Sequence, residues 1–169
     1  MNLFENNGAE FSADKKYRYV LWRIWDDSKP TVVFIGLNPS TANENKDDNT
    51  IRRVKRFANS LGFGGVYMLN LFAWVTPYPD ELKRCDDPVG DNDKWIMEIS
   101  GKCEQVIFAW GSFMEASDRA KHVLKMFTHG YALKLNRDGS PRHPLYVPGK
   151  TKLVPYPMWA YESRCIQKI

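Results

Sequence analysis

The chain has 169 residues, 43% hydrophobic and 26% charged, which is close to globular averages and unlike the polar, aromatic-poor composition of disordered chains. That length suits a single domain over residues 1–169 that buries about two thirds of the surface its unfolded form exposes. Twenty-four Lys and Arg against twenty Asp and Glu leave a formal charge of +4, too small to require an anionic partner, and no apolar run approaches the roughly 20 residues that cross a bilayer.

Residues 17–25, Tyr-Arg-Tyr-Val-Leu-Trp-Arg-Ile-Trp, alternate large apolar side chains with Arg, and predict a half-exposed strand at a sheet edge that ends in the Asp26–Pro30 turn. Thr31–Ile35 is a continuous β-branched apolar run stopped by Gly36, the pattern of a parallel strand buried on both faces. Ile51, Val54, Phe57, Ala58 and Leu61 recur at helical spacing before Gly62, so residues 50–61 read as an amphipathic helix. Gly65–Phe72 forms the next buried strand and completes a βαβ unit, which crosses over right-handedly.

Pro77, Pro79 and Pro88 mark an irregular connection to a short helix near residues 92–100. A third strand covers residues 105–110, a helix covers about 113–126, and a shorter strand, 131–135, feeds a loop that carries His143. Alternating strands and helices predict an α/β fold, a three-layer α/β/α sandwich with a mainly parallel central sheet. Cys85, Cys103 and Cys165 are widely spaced and odd in number, fitting neither a disulfide framework nor a metal knuckle. With no basic-then-apolar start at Met1–Glu5, a reduced, cytoplasmic setting is expected.

Ligands of parallel α/β sheets bind outside the carboxyl ends of the strands. Each strand carries a polar signal there: Asn38 in Gly36-Leu37-Asn38-Pro39-Ser40-Thr41, then Asn70, then Trp110-Gly111-Ser112, then His143. Gly36 permits close approach and Pro39 stiffens the loop, so the Asn38 amide either orients a ligand or water or simply caps a turn. Asn70 interrupts a buried run, where an unpaired amide costs about 1–3 kcal/mol, and needs a backbone or a ligand as partner. His143 can donate to developing negative charge or shuttle a proton, whereas His122 and His129 read as structural or solvated. Arg52, Arg53, Lys55 and Arg56 form a cluster that is either a solvated helix face or a nucleic-acid contact. Glu44, Asp47 and Asp48 read as a helix-start cluster favouring the dipole, and neither a metal nor another cofactor is expected.

Five motifs in order, Gly36 to Ala42, Asp47 to Arg53, Asn70 to Ala73, Ala109-Trp110-Gly111 and Arg142 to Tyr146, resemble domain of unknown function family 1643 over about residues 15–150. More distantly, the same order is similar to the uracil-DNA glycosylase superfamily, whose first motif is a Gly-x-Asp-Pro or Gly-x-Asn-Pro loop. That resemblance implies a glycosylase-like fold and a hydrolase that cleaves the N-glycosidic bond of a damaged or modified base in DNA repair or modification. In it Asn38 and His143 would be catalytic, Asn38 positioning water and His143 stabilising the departing base. Asn70 would read the base edge, and Gly36, Leu37, Pro39, Ser40, Trp110 and Gly111 would line the substrate site. Arg52, Arg53 and Arg142 would hold phosphates of a nucleic acid, DNA more than RNA, or of a nucleotide. The alternatives are a non-catalytic nucleotide or nucleic-acid binding module and an enzyme of free nucleosides or nucleotides.

Overall fold

The residues Thr31–Gly36 carry no side chain that needs water, and four of them, Val32 to Ile35, are fully buried. They form strand β3 at the centre of a seven-stranded sheet. The structure is a computed structural model that describes residues 6–158. The strands are β1 (Asn6–Phe11), β2 (Arg18–Ile24), β3 (Thr31–Gly36), β4 (Gly65–Asn70), β5 (Gln105–Phe108), β6 (Tyr131–Ala132) and β7 (Val154–Pro155), ordered β1-β2-β4-β3-β5-β6-β7. The central strands β4, β3, β5 and β6 run parallel, while β1, β2 and β7 are antiparallel additions at the margins. The fold is therefore mixed α/β, with a mixed sheet that is parallel at its centre.

Helix α1 (Asn49–Ser60) follows the predicted boundaries within a residue. Its start is set by Asp48, whose side chain accepts the Ile51 backbone N–H at 2.9 Å. Such a cap is worth about 1 kcal/mol. The helix lays Ile51, Val54, Phe57 and Ala58 against Val32, Phe34, Val66 and Met68 on one sheet face. Helices α2 (Asn92–Ser100) and α3 (Ser117–Leu124) put Ile96, Ile99, Ala120 and Val123 against Val33, Ile35 and Phe108 on the other. The alternation of β3 thus divides its side chains between two cores.

Three expectations need correction. The strand β2 lies inside the sheet, because β1 covers its outer edge, and its Arg18 and Arg23 are each 3% exposed rather than solvated. Apolar residues occupy both parities of β2, Tyr19 and Leu21 on one and Val20 and Trp22 on the other, which is the pattern of a strand covered on both faces. The helix expected over 113–126 is divided into a 3-10 turn, Met114–Ala116, and the shorter α3. The last predicted strand contracts to Tyr131–Ala132, since Leu133 to Leu135 leave the ladder for the turn closed by Asn136 N–H donating to Ser140 O at 2.8 Å. Cys85 and Cys103 are free thiols, and Cys165 and Met1–Glu5 lie outside the described residues.

Candidate functional site

Hydrogen bonding does not stop where the central strands end. The N–H groups of Leu71, Phe72 and Thr76 donate to the carbonyls of Gly36, Leu37 and Pro39 at 2.8–3.0 Å, so the loop after β3 is laced to the segment after β4. Against these loops opens a cavity of about 190 Å³, lined among others by Gly36, Leu37, Asn38, Ser40, Asn70, Trp110 and His143. A dry cavity of roughly 150 Å³ holds a benzene ring, so this one has room for a small heterocycle. Pro39 and Gly111, expected in the lining, are not among its residues. Pro39 supplies a carbonyl to Asn38, and Gly111, at φ +81°, turns the end of β5 so that its N–H donates to Pro141 O at 2.9 Å.

Asn38 is held by its own amide. Its Nδ2 donates to Thr76 O at 2.8 Å and to Pro39 O at 3.0 Å, which commits both protons and leaves the side-chain oxygen as the acceptor it can offer. Two carbonyl partners also decide which end of the amide is nitrogen. The turn-capping and site-building alternatives therefore coincide: the amide grips backbone and lines the cavity at once.

Asn70 is 2% exposed, and its Nδ2 has no hydrogen-bond partner. Of the two partners open to it, backbone or ligand, the backbone is not the one in place. Its Oδ1 lies over Gly36, where an added Cβ would come within 2.8 Å of that oxygen and 2.6 Å of Met68 Cε. A glycine at position 36 is what makes room for the amide. Behind β4, Asn92 Nδ2 donates to Asn70 O at 2.7 Å and Arg119 Nε to Leu71 O at 2.7 Å, anchoring the backbone from which the Asn70 side chain projects.

His143 caps the 3-10 turn Pro144–Tyr146, its Nδ1 accepting the Leu145 N–H at 3.3 Å. In the neutral ring that bond places the proton on Nε2. Burial holds the imidazole below the ordinary histidine value, with the Asp48 carboxylate pulling the other way. A neutral imidazole with its proton on Nε2 thus lines the same cavity as Asn38.

The three arginines assigned to phosphates are not among the residues that line the cavity. Arg53 donates through Nη2 to Val147 O and through Nε to Pro144 O at 3.4 Å, tying α1 to the His143 loop. Arg142 Nε donates to Asn136 Oδ1 at 2.9 Å, away from the cavity lining. Arg52 donates to Asp47 O and Asn49 Oδ1 and, with Arg56, remains exposed beside Leu145. His122 pairs with Asp93 at 2.7 Å and His129 with the Thr128 hydroxyl at 3.0 Å.

Sequence reasoning missed two charged members of the site, Arg18 and Asp48, both of which line the cavity. The signal for Arg18 was the doubly apolar pattern of β2, which leaves its arginines no route to water. Asp48 was read only as part of a helix start; it is the cap of α1 and also the carboxylate among the lining residues.

Together the fold and site define a mixed α/β domain with a polar, ring-sized cavity at the carboxyl ends of its parallel strands. The chain belongs to the family described as "Protein of unknown function (DUF1643)", which matches residues 18–145. No curated protein and no solved structure matches it.

Proposed function

We propose that this protein is a glycosylase-like hydrolase that cleaves the N-glycosidic bond of a damaged or modified base, on a three-layer fold of the uracil-DNA glycosylase kind, working in the cytoplasm on DNA or a nucleotide. The observation that carries the proposal is Asn70, a buried amide whose Nδ2 lacks a protein partner in a cavity of ring size. A base edge, which offers both donors and acceptors, completes it. A base in a duplex is out of reach of such a cavity, so the target nucleotide is flipped out or met in a single strand.

In this mechanism the Asn38 oxygen accepts a hydrogen bond from water and aims it at the sugar carbon. The C–N bond breaks, its electron pair stays with the base, and Nε2–H of neutral His143 donates to the negative charge that results. An amide cannot take the proton that the water loses; Asp48 is the carboxylate within the cavity able to receive it. Incubation of the full chain with single- and double-stranded oligonucleotides containing uracil, hypoxanthine, mismatched thymine and oxidised bases, read by mass spectrometry, tests the proposal. Released base and abasic strands, lost in Asn38→Ala and His143→Ala, are expected. Absence of release on every substrate would leave the second reading, a binding module, which the inability of Asn38 to act as a base favours.

A further inference from the structure

Two arginines of β2 are buried to the same degree and treated differently. Arg23 is fully engaged: Nε pairs with Asp47 at 2.8 Å, Nη1 donates to Trp22 O at 2.8 Å and Nη2 to Asn43 O at 2.6 Å. Arg18 donates from Nη1 to Ala42 O at 2.8 Å, but its Nε has no partner and, among the described residues, no carboxylate forms a salt bridge with it. A guanidinium at 3% exposure without a counter-ion is costly, because removal from water must be offset by an opposite charge or a full set of acceptors. Burial pushes it down to about 10, with Asp48 acting against the fall and Arg23 adding to it. Asp48 is an incomplete counter-ion. Its Oδ1 is taken by the Ile51 N–H, and it faces the positive end of α1.

Arg18 and Asn70 line the same cavity, and each has a buried N–H group that the protein leaves unpaired. We propose that Arg18 is an anion-recognition residue and that the cavity takes a base-sized heterocycle carrying negative charge on oxygen. That charge has two sources: a carboxylate substituent on the ring, or the charge left on the ring when its bond to the sugar breaks. In the second case the electron pair of the C–N bond moves into the ring and its carbonyl oxygens, and Arg18 shares the stabilisation with His143. The proposal rests on the reading that the cavity receives a base.

Calorimetry with the full chain separates the sources. Orotate, a pyrimidine with a ring carboxylate, is expected to bind about tenfold or more tightly than its uncharged amide, as loss of one charge-assisted hydrogen bond predicts. Arg18→Gln should remove the preference and Arg18→Lys keep part of it; the comparison of the two ligands on the wild-type chain is independent of how the variants fold. For the ring-charge source, release of uracil and of the better-leaving 5-fluorouracil from oligonucleotides is compared, and Arg18→Gln should slow uracil more. Either preference supports the proposal and names its source. Base release whose substrate ratio is unchanged in Arg18→Gln, with equal affinity for orotate and its amide, overturns the proposal and leaves the glycosylase reading intact. Neither binding nor release overturns both.

Discussion

A buried amide nitrogen without a partner lowers stability by about 1–3 kcal/mol, and Asn70 carries that burden. Replacing it by leucine, which has the same branching, somewhat greater bulk and no polar atoms, is expected to raise stability by about 1 kcal/mol while abolishing binding of a base. Urea unfolding checks the first half and calorimetry the second; a clear loss of stability would mean that the amide is satisfied within the protein. His143 gives a pH dependence of definite sign. In the unfolded chain it titrates near 6.5, and burial holds it lower in the folded protein. Between the two values the unfolded chain binds more protons, so stability present above about pH 6.5 is lost as pH falls toward the folded value. The urea midpoint should drop between about pH 7 and pH 5 in the wild-type protein and drop less in His143→Gln. Asn38 and Asn70 were legible as candidate site residues because they stand where apolar runs end, and His143 because it is the histidine of a strand-end loop. Arg18 was not, because β2 reads as an edge strand until β1, whose Asn-Asn-Gly-Ala-Glu-Phe sequence carries little β signal, is paired to it, and because the carbonyl that holds the guanidinium, Ala42 O, lies 24 positions away.

At the level of elements, long apolar runs were readable, while of the short strands β6 was read too long and β7 was not read. The runs at β3 and β4 and the 3.6-residue spacing of α1 reflect local physics, burial on one face or two. The two-residue strand β6 is held between β5 and β7, and β7 is a strand only through β6, with Tyr131 opposite Pro155 and Ala132 opposite Val154. The role of Arg53 is likewise a tertiary matter. From its neighbours it reads as a phosphate ligand, yet its guanidinium reaches carbonyls 91 and 94 positions later and lies over the Phe57 ring, its carbon 4.9 Å from the ring centre. It holds the His143 loop against α1. Arg53→Met keeps the stem and removes the tether, and should lower base release or base affinity by about tenfold with a stability loss of about 1 kcal/mol. An equal loss in both Arg53→Met and Arg53→Lys would assign the role to the fork of hydrogen bonds, whereas a loss in Arg53→Met that Arg53→Lys restores would point to charge.

For the whole molecule, charge decides between a polymer and a monomer as substrate. A formal charge of +4 is modest, but it is unevenly placed: Arg52 and Arg56 are exposed on α1, next to Leu145 on the loop that carries His143. A strand whose base enters the cavity would pass this rim. Each phosphate neutralised on a single strand contributes about −0.7 to the slope of log affinity against log salt, so two contacts predict a slope of about −1.4. The double variant Arg52→Gln, Arg56→Gln should bring that slope toward zero and weaken binding to all sequences alike, because phosphate contacts position a strand without reading it. The cavity should still accept free base in this variant, since neither arginine lines it. A salt-independent affinity in the wild-type protein, together with turnover of free nucleosides, would instead assign the rim to solvent and the cavity to a monomer. The same cavity supports both outcomes; what separates them is whether the charge beside it is used.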